Sequence, residues 1–167
     1  AGWVPKAPYN PAPDASALYK AMHGGVFGAG TDEEAIHQTL EGKTPAQLNG
    51  IKKSYADHYR RDLVADLNSE LSGADKARAM ALLKGDAAGA RSAQLHGAMK
   101  GVGTNEASLF GALEGKSPAE LAAVKQSFER KHGSLDQALS SELSGAQLTR
   151  ARALLSSDTA LADAATL

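Results

Sequence analysis

An all-α fold built from a tandem repeat is what this sequence predicts, and three observations predict it. Alanine supplies 33 of the 167 residues, a composition that favours helix and close helix packing. β-Branched residues are scarce and never adjacent, which argues against a sheet. Above all, the chain repeats itself. Glu41-Gly42-Lys43-Thr44-Pro45-Ala46 returns as Glu114-Gly115-Lys116-Ser117-Pro118-Ala119, and Ser69-Glu70-Leu71-Ser72-Gly73-Ala74 returns, at almost the same offset, as Ser141-Glu142-Leu143-Ser144-Gly145-Ala146. That period is longer than most solenoid repeats, so each unit is a small helical bundle rather than a helix pair.

Each element has a local reason. Residues 1–13 carry four of the six prolines and the single Trp, so they read as an extended Pro-rich arm. Two outcomes stay open for it: an arm pinned by Trp3 and Tyr9, or a partly ordered terminus. Residues 14–85 and 86–157 form the two repeats, each of five short helices. The first helix covers Ala15–Met22 and Ala93–Met99. The second follows Thr31 and Thr104. Thr31-x-x-Glu34 has the form of a capping box, half of which is missing in the second copy because Ala107 replaces the glutamate.

The third helix opens at Thr44-Pro45 and Ser117-Pro118, with proline where no donor is needed. It buries Leu48, Ile51, Tyr55 and Tyr59, or Leu121, Val124 and Phe128, at helical spacing. The fourth carries Leu63, Leu67 and Leu71, or Leu135, Leu139 and Leu143. Gly73 and Gly145 mark a sharp turn after it. The fifth carries Met80 and Leu83, or Leu148, Leu154 and Leu155. Residues 158–167 then repeat the start of a first helix. Either the chain is cut from a longer array or this stub caps the second unit; in the former case an apolar edge and self-association around Leu161 and Leu167 are expected.

Charge and composition narrow the function. Eighteen basic residues balance nineteen acidic ones, so no nucleic-acid partner is expected, nor a polybasic grip on lipid. Cysteine is absent, which excludes disulfides and thiolate metal sites. No stretch reaches the roughly 20 apolar residues of a membrane span; a membrane would be met peripherally, in a compartment left open. Gly42-Lys43-Thr44 and Gly115-Lys116-Ser117 imitate the tail of a phosphate-binding loop, but the required earlier glycine is His37 or Phe110. No His-Glu-x-x-His, Gly-x-Ser-x-Gly or EF-hand ladder occurs, so an enzyme is not expected.

The chemistry lies in two glycine loops between the first and second helices, Gly28-Ala29-Gly30-Thr31 and Met99-Lys100-Gly101-Val102-Gly103-Thr104. Glycine lets carbonyls turn outward. Glu70 and Glu142 follow the loop threonines, Thr31 and Thr104, at closely matched distances along the chain, each near the end of a fourth helix. A negative charge there opposes the helix dipole. A ring of carbonyls facing one carboxylate is a hard-oxygen site that suits Ca²⁺, whereas Mg²⁺ prefers a tighter, wetter octahedron. By themselves the loops also read as helix stops followed by threonine caps.

Gly28-Ala29-Gly30-Thr31-Asp32-Glu33-Glu34-Ala35-Ile36, the run Tyr59 to Gly73, and Met99 to Thr104 with its distant Glu142 resemble annexin repeats. The resemblance covers residues 14–158. It implies two annexin-like five-helix repeats in a right-handed superhelix, and calcium-dependent binding to acidic phospholipid membranes. It also implies ligands: the carbonyls of Met99, Gly101 and Gly103 with the Glu142 carboxylate, and the carbonyls of Val26, Gly28 and Gly30 with Glu70.

Three departures qualify the match. The first loop carries four extra residues among His23–Phe27, which shifts Val26 from the family spacing, so the second loop is expected to bind calcium better. His132-Gly133-Ser134-Leu135 replaces Tyr-Arg-Arg-Asp-Leu, and two repeats stand where annexins usually have four or more. The alternative function is an annexin-fold structural or protein-interaction repeat without working calcium sites. If the loops meet a bilayer, Ala29 and Val102 sit at their apices, with Phe27 beside the first; Phe27 either enters the bilayer or folds back onto the first helix.

Overall fold

A computed structural model of the chain describes residues 8–24 and 30–156. Among them are ten α-helices and no strand: α1 (Ala12–His23), α2 (Glu33–Leu40), α3 (Pro45–Tyr59), α4 (Leu63–Glu70), α5 (Gly73–Leu83), α6 (Ala87–Met99), α7 (Glu106–Leu113), α8 (Pro118–His132), α9 (Leu135–Glu142) and α10 (Gly145–Leu155). Trp3 and the 158–167 stub, with Leu161 and Leu167, lie outside the described residues.

Contacts group the helices into two units, α1–α4 in one and α6–α10 with residues 73–82 of α5 in the other. In the first, Leu18, Ile36, Leu40, Leu48, Ile51, Tyr55, Leu63 and Leu67 are buried. In the second, Leu95, Leu109, Leu113, Leu121, Val124, Phe128, Leu135 and Leu139 make the core, with Leu148, Leu154 and Leu155 packed against it. These are the stripes read from the sequence, with one shift. Tyr59 is only half-buried and stacks on Tyr19, ring centroids 4.0 Å apart and 2° from parallel.

Helix starts follow side-chain chemistry. Thr44 and Gln47 complete a capping box at α3, and Ser117 caps α8 through the Glu120 amide. At α2 the expected Thr31 box does not form: Asp32 is the cap, accepting from the Ala35 amide at 3.0 Å, and Asn105 caps α7 through Ser108. Both residues outrank threonine as caps, which leaves the threonine hydroxyls for another partner. α1 begins at Ala12, inside the expected arm, because Pro13 fits a first turn. Tyr9 bonds Asp14 through its hydroxyl, and Lys43 sits 5.9 Å from the centre of its ring.

Candidate metal centre

Both glycine loops are closed by the same backbone bond. The Asn105 N–H donates to the Ala98 carbonyl, and the Asp32 N–H to the Ala21 carbonyl, each at 2.8 Å. The bonded residues are seven apart in the second loop and eleven in the first. The four extra residues are thus taken up inside a closure of unchanged length. Val26, Phe27, Gly28 and Ala29 lie outside the described residues.

Gly101 and Gly103 adopt φ +100° and +82°, and Gly30 φ +94°, a region that side-chain-bearing residues resist. Between the two glycines Val102 is fully exposed, at 109% of its reference area. An apolar side chain held in water here contributes nothing to the core.

The freed threonine hydroxyls reach the distant carboxylates. Thr104 Oγ1 donates to Glu142 Oε2 at 2.8 Å, and Thr31 Oγ1 donates to Glu70 Oε2 at 2.9 Å. α9 and α4 end at these glutamates, so each carboxylate stands at a helix C-terminus beside the glycine loop. The sequence paired loop with glutamate but assigned the threonine to a cap. The signal was present in both copies: an Asp or Asn directly after each threonine, better suited to capping.

A hard cation fits the donor set of the second loop. No backbone N–H outside the helices donates to the carbonyls of Met99, Gly101 or Gly103 among the described residues, and one Glu142 oxygen is oriented by Thr104. Carbonyls plus a single carboxylate form no cluster of acids and imidazoles, and no group of three such side chains occurs among the described residues. In the first loop Gly30 and Glu70 are described, and they match Gly103 and Glu142.

A polar knot in the first unit went unread in the sequence. Asp66, nearly buried, accepts from Tyr55 Oη at 2.6 Å and from Arg61 Nε and Nη2 at 2.6 and 2.8 Å. His23 Nε2, just before the first loop, lies 3.6 Å away. The Arg61 hydrogen bonds outweigh burial and, with Tyr55, pull the Asp66 carboxyl down to about 2; burial and the same carboxylate push the Tyr55 hydroxyl up. The second unit has Phe128 and Ala138 at the positions of Tyr55 and Asp66, and its shorter turn holds no counterpart of Arg61, so the knot steadies the first unit alone.

Comparison with known proteins identifies the family of the two repeats. The family model described as Annexin matches residues 13–82 and 90–147. Mouse annexin A13 is 43% identical over 134 residues, 79% of this chain and 40% of that protein. Mouse annexin A6 is 41% identical over 138 residues, 82% of this chain and 20% of that protein. The solved structure of chicken annexin V superposes with a TM-score of 0.50 at 33% identity, covering 93% of this chain and 48% of that one. The chain therefore spans between a fifth and two fifths of those two mouse relatives.

Proposed function

The chain belongs to the annexin family, whose members bind phospholipid membranes in a calcium-dependent manner, and on that premise we propose that it is a peripheral, calcium-dependent binder of acidic phospholipid. The observation that carries the reading is the Thr–Glu hydrogen bond made in both units, 2.9 and 2.8 Å. It holds a carboxylate beside each glycine loop, and in the second loop no backbone N–H outside the helices donates to the carbonyls of Met99, Gly101 or Gly103 among the described residues.

The ligands proposed for the second loop are the carbonyls of Met99, Gly101 and Gly103 and the Glu142 carboxylate. For the first they are Gly30 and Glu70 with Val26 and Gly28. A bound Ca²⁺ would supply about one net positive charge and an open position for a lipid phosphate oxygen. The chain's own groups do the rest. Thr104 fixes one Glu142 oxygen, Gly101 and Gly103 let the loop turn outward, and Val102 presents an apolar tip to the bilayer. Ala29, with Phe27 beside it, is proposed for the same role in the first loop, the alternative being that Phe27 folds back onto the first helix. Calcium and lipid then raise each other's affinity through linkage. The role is binding rather than catalysis, and no described helix is long and apolar enough to cross a membrane.

Co-sedimentation with vesicles of phosphatidylserine and phosphatidylcholine tests this. Pelleting in calcium and release by chelator is the expected result. Equal behaviour in both overturns it and favours the structural repeat.

A further inference from the structure

The second unit keeps the shape of an aromatic site in the first while replacing its chemistry. Because of the longer first loop, the repeats align in two stretches. Ahead of the loop Met22 matches Met99, and after it Thr31 matches Thr104, so Tyr19 and Tyr59 correspond to His96 and His132. Both pairs stack: the tyrosines at 4.0 Å and 2°, the histidines at 3.8 Å and 6°. The same alignment places Ser92 where the first unit has Ala15, Lys100 for His23 and Lys131 for His58. Each exchange adds a hydrogen-bond donor or a positive charge to the same spot.

These residues surround one cavity of about 190 Å³. Ser92 and His96 enter from α6, Lys100 from the residue just after it, and Lys131 and His132 from α8, with small residues of α5 behind them. No lining side chain is acidic. Ser92 is 1% exposed, and its hydroxyl has no hydrogen-bond partner. A buried orphan hydroxyl is destabilising, and its equivalent, Ala15, avoids the problem; a group held at such expense needs a use. An acid stands nearby, Glu142 of α9. It lines an adjoining cleft shared with His96, Lys100 and His132 and is bonded by Thr104.

We infer that this cavity binds a phosphate oxyanion, Ser92 and the two imidazoles donating hydrogen bonds while Lys100 and Lys131 supply charge. Two lysines and a pair of convertible donors around an unsatisfied hydroxyl match three anionic oxygens. Burial, then the adjacent lysine, hold the His96 imidazole below its usual range; burial, then His96 and Lys131, do the same for His132. An anion reverses that balance, so its affinity rises as the pH falls below neutral. The site uses none of the proposed calcium ligands and can be tested without calcium.

Inorganic phosphate is titrated into ¹⁵N-labelled protein in chelator, at constant ionic strength and just below neutral pH. Saturable shifts at Ser92, His96 and His132 are expected. Ser92→Ala keeps the melting temperature or raises it, and weakens phosphate binding about tenfold, the loss of one charge-assisted hydrogen bond. His96→Tyr with His132→Tyr restores the stack of the first unit and abolishes binding in a folded protein. Vesicles of phosphatidylcholine and phosphatidylglycerol, also in chelator, separate the sources. Pelleting that phosphate displaces assigns a lipid head group, and saturable phosphate binding without pelleting assigns a free phosphate or phosphate monoester. Shifts that never saturate, or that survive the double tyrosine variant, overturn the proposal.

Discussion

Asp66 ties the stability of the first unit to pH. Its folded pKa of about 2 lies below the ordinary 3.8, so it contributes stability that is complete above about pH 4 and lost as the pH falls toward 2. Asp66→Asn should lower stability by roughly 2 kcal/mol at neutral pH and by almost nothing near pH 2, a convergence that urea unfolding at several pH values would reveal. A constant difference across that range would refute the assignment. Val102 makes the opposite case, a residue with no role in the fold. Val102→Ser should leave the melting temperature unchanged while weakening calcium-dependent vesicle binding by about tenfold, the loss of one buried aliphatic side chain. A drop in melting temperature would mean that Val102 packs. The two roles were not equally legible beforehand. The Val between two glycines stands out in any reading of the loop. Asp66 sits within the Tyr-Arg-Arg-Asp-Leu neighbourhood, and its link to Tyr55 depends on how α3 turns into α4.

The turn from α3 to α4 carries its own test. Arg60, the C-cap of α3, has φ +55°, and the C-cap of α8 in the second unit is Gly133 at φ +81°. L-residues are strained there. Arg60→Gly should therefore raise stability by about 0.5–1 kcal/mol, measured by thermal or urea unfolding; a loss would show that the Arg60 side chain contributes more than its backbone strain removes. Helices were read well because apolar spacing and proline punctuation are local. The third helix opens at Thr44-Pro45 and Ser117-Pro118 as its sequence implies. The misread start was α2, where Thr31 and Asp32 are adjacent and both able to cap. Cap preference favours Asp32 over Thr31, but that the freed Thr31 hydroxyl bonds Glu70, at the far end of α4, is something no local pattern reaches.

Two repeats of one design differ in what they add to it. The first has the Asp66 knot and a longer loop; the second has the shorter loop, the stacked histidines and the orphan Ser92. The matched spacing in the two repeats made the pairing of glycine loop and distant glutamate legible. The Thr–Glu hydrogen bond that joins them was not, since it depends on how α4 and α9 come to rest against the loops. On the proposed function, the calcium requirement turns on the two glutamates. The most direct measurement is the calcium concentration that gives half-maximal binding to phosphatidylserine vesicles, for the native protein, Glu70→Gln and Glu142→Gln. Glutamine keeps an oxygen for the threonine hydroxyl, so the fold is retained while one negative charge is lost. Both variants should need more calcium, Glu142→Gln by the larger factor, at least about tenfold if one charged ligand is removed from the shorter loop. Unchanged calcium dependence in both variants, with binding intact, would contradict a carboxylate-closed calcium site.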